Sequence, residues 1–372
     1  MTRWWPCPAR GEANKVSVLI SVDSALEQWL KKTLKKRSVK LPNRGSRYFE
    51  HYVSIKQRIA DKYYAVTGAA LAQKGDRYTR HDIGHVDDVI ETAGLMLGLE
   101  SDSAAPAIKQ VLAYEGFVLL VAILLHDAGN AISRDGHEKK AAAILREVGE
   151  AVGLSDIERR IISSIAQAHG GEMEDGSKDT ITRLMSEPVP DIGGIEVHAW
   201  RLAALLRLAD ELSENYTRAD EVAIADAATP PLSVLSNLYC RAINRRVDFK
   251  GKSVHLAFTI DKQLLPQTFV IPVKGGGTRE IMFVDYIAER LEKCELERRY
   301  CNRFLAGFAS YDRIRAKLVI MDGDQEIDSI AVDLEEVGYP GASSKVRELQ
   351  PRFDACKLRD QHCDPLHQEP IS

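Results

Sequence analysis

The sequence predicts a mainly α-helical domain followed by a smaller α+β domain, and three observations predict it. From Tyr48 to about Asn215 nearly every segment repeats its apolar residues with the period of a helix. Gly- and Pro-containing clusters such as EDGSKD and EPVPDIGG separate these segments, as interhelical loops do. Beyond about residue 235 the period drops to two, the mark of half-buried strands.

Taken in order, residues 1–45 read as an N-terminal extension with one short helix in DSALEQWLKKTLKKRSVKL. Ser24 is placed to cap it, and its lysines and arginines crowd the C-terminal end, where cations suit the helix dipole. Residues 46–230 form the helical domain, with helices expected in HVDDVIETAGLMLG, GHEKKAAAILREVGEAVG, DIERRIISSIAQAHGG and EVHAWRLAALLRLADELSENY. Residues 231–340 form the α+β domain. RRVDFKGKSVHLAFTID and QTFVIPVKGGG alternate as strands, REIMFVDYIAERLEKCELERRYCNRFLAGF reads as a long helix, and RIRAKLVIMDG as another strand. Residues 341–372, interrupted by Pro351 and Pro365, read as a loosely ordered polar tail.

Composition narrows the functional classes. The chain has 372 residues, 45% hydrophobic and 28% charged, with a net charge of -4. That is a globular composition with no generally basic surface, which argues against nucleic acid as a partner. No apolar run is long enough to span a membrane, and the N-terminus lacks the pattern of a signal peptide. Six scattered cysteines in a chain of this size read as reduced thiols, so a cytoplasmic location is expected. Cys294 and Cys301, seven apart, are expected to share one packed helix face.

The chemistry gathers around ILLHDAGN, residues 123–130. The preceding FVLLVAILL is apolar on every side, so it reads as a buried helix delivering His126 and Asp127 into an interior. Ionisable groups there are costly unless neutralised. Among ten histidines, five (His81, His85, His126, His137 and His169) lie between residues 81 and 169. RYTRHDIGH spaces His81 and His85 four apart, and the apolar helix AWRLAALLRLADEL brings in Asp210. Imidazole and carboxylate from three helices meet most simply at a divalent metal held by His85, His126, Asp127 and Asp210.

This ordered set, with LLHDAGN and LADELSENYTRA around it, resembles the HD superfamily of metal-dependent phosphohydrolases over about residues 48–220. The resemblance implies an HD-type helical domain whose first metal is held by those four residues, with Asp127 bridging to any second ion. His137 and His169 fall where two-metal members place their additional ligands. Where such members often carry a further histidine, this sequence has Gly170, so one or two ions both stand open. In cyclic-nucleotide phosphodiesterases a histidine four residues before the first ligand protonates the leaving oxygen, and HDIGH resembles that spacing, which makes His81 the candidate general acid. Asn130 stands where the family often has lysine. Compensating cations for a phosphate are then sought in Arg80, Arg134 and Arg218, near the motifs in sequence.

The implied activity is cleavage of a phosphoester or phosphoanhydride in a small phosphorylated substrate, a nucleotide above all, by water activated with Mn, Fe, Zn, Ni or Co. Two alternatives are a nucleotide-sensing module with the C-terminal domain as effector surface, and a nuclease, which would need a basic groove. The C-terminal domain, with only His255, is expected to carry no catalytic group and to serve substrate access or association into a homo-oligomer. VKGGGTRE lacks the GK[ST] of a P-loop and reads as a hairpin or loop. Cys356, His362, Cys363 and His367 form a candidate zinc set whose spacing fits no common finger.

Overall fold

A computed structural model describes residues 20–43, 45, 47–67, 79–100, 106–244, 247–273, 275–336, 343 and 345–363. The helical domain is organised around α4 (Ala113–Leu125), every residue of which is buried. A helix with no polar face has to be enclosed on all sides. It is enclosed by α1 (Ala25–Leu34), α2 (Tyr48–Ile59), α3 (Ile83–Met96), α5 (Ala141–Glu150), α6 (Asp156–Gln167) and α8 (Ala199–Glu211). Of these, α6 and α8 are linked by the single-turn α7 (Thr180–Leu184) and a two-residue hairpin, β1 (Asp191–Ile192) and β2 (Ile195–Glu196). Then α9 (Glu221–Ala225) and α10 (Pro231–Ala242) lead into the C-terminal domain.

That domain holds a four-stranded sheet in the order β3 (Asp248–Lys250), β4 (Ser253–Asp261), β7 (Arg313–Asp322), β8 (Gln325–Glu335). The central pair β4 and β7 is parallel, which requires a long crossover between them. The crossover consists of the hairpin β5 (Thr268–Pro272) and β6 (Thr278–Met282) followed by the 23-residue α11 (Phe283–Leu305). Val254, Leu256, Phe258 and Ile260 alternate into the core, and Cys294 and Cys301 are both buried on α11. The glycines of VKGGGTRE make the β5–β6 turn, with φ of 98°, 107° and 82° at Gly275, Gly276 and Gly277. Among the described residues, no helix is long and apolar enough to cross a membrane.

Three segments differ from the sequence expectation. First, α1 is part of the helical core rather than an extension. Leu26 and Leu30 are fully buried, and a Cβ on Gly116 of α4 would stand 2.4 Å from the Trp29 ring. Fully buried Lys56 ties α1 to α2 and α3 through Glu27 (2.8 Å) and Asp87 (2.7 Å). Residues 1–19 of the expected extension, with Cys7, lie outside the described residues. Second, residues 345–363 of the expected loose tail are docked. Their helices α12 (Val346–Leu349) and α13 (Ala355–His362) bury Val346, Phe353, Ala355 and Leu358. Asp328 of β8 holds both Arg352 (2.6 Å) and His362 (3.0 Å), so His362 is committed to a carboxylate; His367 lies outside the described residues. Third, β8 and β6 are strands that the sequence reading did not separate out.

Candidate metal centre

Helix ends carry the donor groups. Asp82 caps α3 by accepting from the Gly84 and His85 amides (3.0 and 3.4 Å), which fixes His85 in the first turn and leaves His81 just ahead of the cap. His126 is the C-cap residue of buried α4, and Asp127 opens the 3-10 turn Ala128–Ala131. A second turn, His137–Lys140, packs on the first so closely that a Cβ on Gly129 would lie 2.1 Å from the His137 carbonyl oxygen. Only glycine permits that approach, which brings His137 over Asp127. His169 follows the end of α6, and Asp210 sits in the last turn of α8.

The two oxygens of Asp127 serve two donor groups. On the Oδ2 side are His85 Nε2 (3.7 Å) and His126 Nε2 (3.6 Å). These two nitrogens are 3.3 Å apart, and Asp210 Oδ1 lies 3.1 Å from the first and 3.5 Å from the second. On the Oδ1 side are His137 Nε2 (3.1 Å) and His169 Nε2 (4.0 Å). Three imidazoles are oriented from behind by backbone carbonyls at Nδ1: His126 by Ile123 (2.7 Å), His137 by Arg134 (3.0 Å) and His169 by Ala166 (2.6 Å). An Nδ1 proton given to a carbonyl leaves the Nε2 lone pair facing the site, the tautomer a metal ligand needs. His85 Nδ1 finds no partner among the described residues. Nitrogen lone pairs and carboxylates facing one another at such separations fit a shared cation, and each side offers a group able to hold one: His85, His126 and Asp127, or Asp127, His137 and His169.

The electrostatics agree with a strongly anionic pair of acids. Burial works against the charge of Asp127 and Asp210, yet the surrounding histidines, His126 foremost for both in charge, hold both well below the usual carboxylate range. Burial likewise opposes a charged His126, but Asp127 and Asp210 beside it push it up to about 9, so without an ion its Nε2 carries a proton that a metal would displace to free the lone pair. His169 is pushed down to about 4 by burial and by its neighbour His126.

Beside the donors lies a cavity of about 300 Å³ lined by His81, Asp127, His137, His169 and Asp210, by six basic side chains and by three glutamates. His81 gives Nδ1 to the Thr79 carbonyl and turns Nε2 toward Asp127 Oδ2 (3.8 Å), Arg134 Nη1 (3.2 Å) and Arg218 Nη2 (3.4 Å). Burial, together with the Arg218 and Arg134 guanidinium groups and against the pull of Asp127, pushes His81 down to about 3. At neutral pH it is an uncharged imidazole between two cations.

The family model HD-CE matches residues 75–262, half of the chain. The chain belongs to the HD-CE family. No curated protein matches it. The match begins ahead of His81 and ends at the close of β4, so it contains every donor described above and stops short of α11. The helical domain is thus an HD-type domain, and its His/Asp cluster is able to bind metal.

Within the HD-CE domain, the structure brings His81, His85, His126, Asp127, His137, His169 and Asp210 together, with Arg134 and Arg218 at the cavity. Arg218 is held there by its backbone. Its carbonyl accepts from the Arg80 amide (3.0 Å), while Asn215 and Thr217 anchor the same turn on Asp88 of α3 (3.0 and 3.2 Å). Arg80 goes elsewhere: its side chain is exposed and pairs with Asp82, two residues away. Asn130 is buried outside the cavity lining, with both amide atoms lacking a partner among the described residues. Sequence reasoning missed Lys178, Arg207, and the Arg290, Lys293 and Glu297 of α11 that form the far wall. The C-terminal domain therefore borders the site itself, where only an access or association role was expected. The signal for it was the helical spacing of Arg290, Lys293 and Glu297, which alone is indistinguishable from a solvated face.

Proposed function

We propose that the protein is a metal-dependent phosphohydrolase acting on a small phosphorylated compound, a nucleotide above all. The observation that carries this reading is the double use of Asp127. Each of its oxygens faces a separate histidine group, and the Arg134 and Arg218 guanidinium groups line the adjoining cavity beside His81. His85, His126, Asp127 and Asp210 would hold one ion, and Asp127, His137 and His169 a second. Divalent ions so held supply Lewis-acid charge for phosphoryl oxygens and make water a competent nucleophile near neutral pH.

The chain's own residues supply the remainder. Arg134 and Arg218 bind the phosphoryl oxygens on the face away from the donors, where planar guanidinium suits them. His81, locked at Nδ1 by the Thr79 carbonyl and uncharged, first takes up at Nε2 the proton released by the attacking water and then gives it to the oxygen of the breaking bond. The balance is simple: water oxygen bonds to phosphorus and loses a proton to His81 Nε2, the P–O bond breaks with its electron pair on the leaving oxygen, and that oxygen takes up the proton from His81. The buried wall formed by α3, α4 and α8 keeps bulk water from the donors on the opposite side.

Elemental analysis of the purified chain, followed by a phosphate-release screen over nucleotides and simple phosphoesters with Mn, Fe, Zn, Ni or Co added, tests this reading. The expected result is one or two bound transition-metal ions and metal-dependent release from at least one nucleotide. Tight nucleotide binding with no turnover under any metal would favour a sensing module instead.

A further inference from the structure

The part of the cavity lining next to Asp210 is built from two helices whose charged side chains interdigitate. Arg207 and Glu211 lie on α8 and Glu214 just past its end; on α11, Arg290, Lys293 and Glu297 follow one stripe. They meet in antiparallel order. Arg207 is fully engaged: it is buried, grips both oxygens of Glu297 (2.6 and 2.9 Å) and also donates to Thr180 Oγ1 (2.8 Å). The two α11 cations are not so engaged. Arg290 lies over the Tyr239 ring (5.3 Å to its centroid) but reaches Glu211 and Glu214 only at 3.6 and 3.9 Å, beyond hydrogen-bond length. Lys293 has three protons to give and, among the described residues, hydrogen-bonds to Glu211 alone (2.6 Å), with its side chain 50% exposed.

Both cations line the cavity that the donors border. Glu211, which holds Lys293, is the residue after Asp210, and Glu214, three residues past the end of α8, contacts Arg218 (3.1 Å) as well as Arg290 (3.9 Å). Apart from Asp127 and Asp210, the cavity has twice as many basic side chains as glutamates. One phosphoryl group is already served by Arg134 and Arg218. A cavity of about 300 Å³ at the small end of ligand pockets suits a compact molecule, not a polymer.

We propose that Arg290 and Lys293 form a second anion subsite that takes the phosphate next to the one cleaved, so the substrate class is a chain of two or more phosphates, as in a nucleoside di- or triphosphate or an inorganic oligophosphate. The proposal rests on the phosphohydrolase reading for which phosphate is cleaved, and on the α8–α11 wall for the subsite. Because α11 lies outside the residues matched to HD-CE, the subsite belongs to what the C-terminal domain adds.

Isothermal titration of the full chain in EDTA with inorganic tripolyphosphate and, separately, orthophosphate tests the subsite without reading turnover. The wild-type chain is expected to bind tripolyphosphate more tightly than orthophosphate. Lys293→Gln and Arg290→Gln should each weaken tripolyphosphate about 10-fold, the scale of one charged hydrogen bond, and leave orthophosphate unchanged. Lys293→Arg should retain the preference. Tripolyphosphate bound no more tightly than orthophosphate, no weakening in either Gln variant, or equal weakening of both ligands would overturn the subsite. Hydrolysis is scored separately: a chain that discriminates the two ligands but releases phosphate from nothing keeps the subsite and loses the phosphohydrolase reading.

Discussion

The two sides of Asp127 are built from different material. On the Oδ2 side, His85, His126 and Asp210 stand on or at the ends of α3, α4 and α8, and the two histidines are almost wholly buried. On the Oδ1 side, His137 and His169 stand on turns beside the cavity, and the imidazole of His137 is 19% exposed. Helix-borne groups hold their geometry more closely than loop-borne ones. The Oδ2 side also has one more donor. The comparison teaches that the two sides are built for different roles: on the proposed reading, the Oδ2 side would hold an ion firmly, and the Oδ1 side would hold one more readily exchanged and nearer the substrate.

The largest expected effect removes the element common to both. Asp127→Ala should abolish metal binding on both sides and lower activity by at least ~10²–10³-fold, the scale of losing one preorganised electrostatic group. Metal content by mass spectrometry checks it; two ions retained in Asp127→Ala would mean that the carboxylate is not the bridge. Next is His81, which borders the Oδ2 side without belonging to it. His81→Ala should lower kcat by about 10²–10⁴-fold with metal content intact, and by less on nitrophenyl esters, whose leaving groups need little protonation. An equal loss on good and poor leaving groups would make His81 a structural partner of Arg134 and Arg218.

The third effect separates the sides. His85→Ala should lose the ion of the Oδ2 side, whereas His169→Ala should keep it and lose only the second. Dialysis against a weak chelator should likewise remove one equivalent before the other. Simultaneous loss of both from the wild-type chain would break the distinction between firm and exchangeable sides.

The same contrast governs what the sequence revealed. His126 and Asp210 were legible because each ends or interrupts an apolar helical run, where a polar group has to be explained, and His85 through its four-residue spacing from His81. Their separation in sequence, 125 residues between His85 and Asp210, did not hide them. The far wall was not legible. Arg290 and Lys293 lie on a helix rich in charge, and only packing of α11 on α8 makes their face an interior one. Arg80 failed for the opposite reason: nearness in sequence to His81 says nothing of direction, and Asp82 claims its guanidinium. For α1, five basic residues between Lys31 and Arg37 drew attention to a solvated face. Leu26, Trp29 and Leu30, spaced three and four apart, were the core signal.

The smallest effect is the sharpest test of the Oδ1 side, because it touches no donor. A methyl group at Gly129 would meet the His137 carbonyl oxygen at 2.1 Å, and the carbon of that carbonyl at 2.8 Å. Both are backbone atoms, so no side-chain rotation relieves the contact; the turn His137–Lys140 has to move away from the turn that carries Asp127. Gly129→Ala should therefore cost about 1–3 kcal/mol of stability, the scale of overpacking a close-packed site. Moving that turn lengthens the 3.1 Å contact between His137 and Asp127 and leaves His85, His126 and Asp210 where they are. The variant is expected to keep one ion with wild-type affinity and to bind the second more weakly, so that activity is recovered at raised metal concentration. Denaturant melts and metal titrations on the same preparation check both halves. Unchanged binding of the second ion at reduced stability would show that His137 is not one of its ligands.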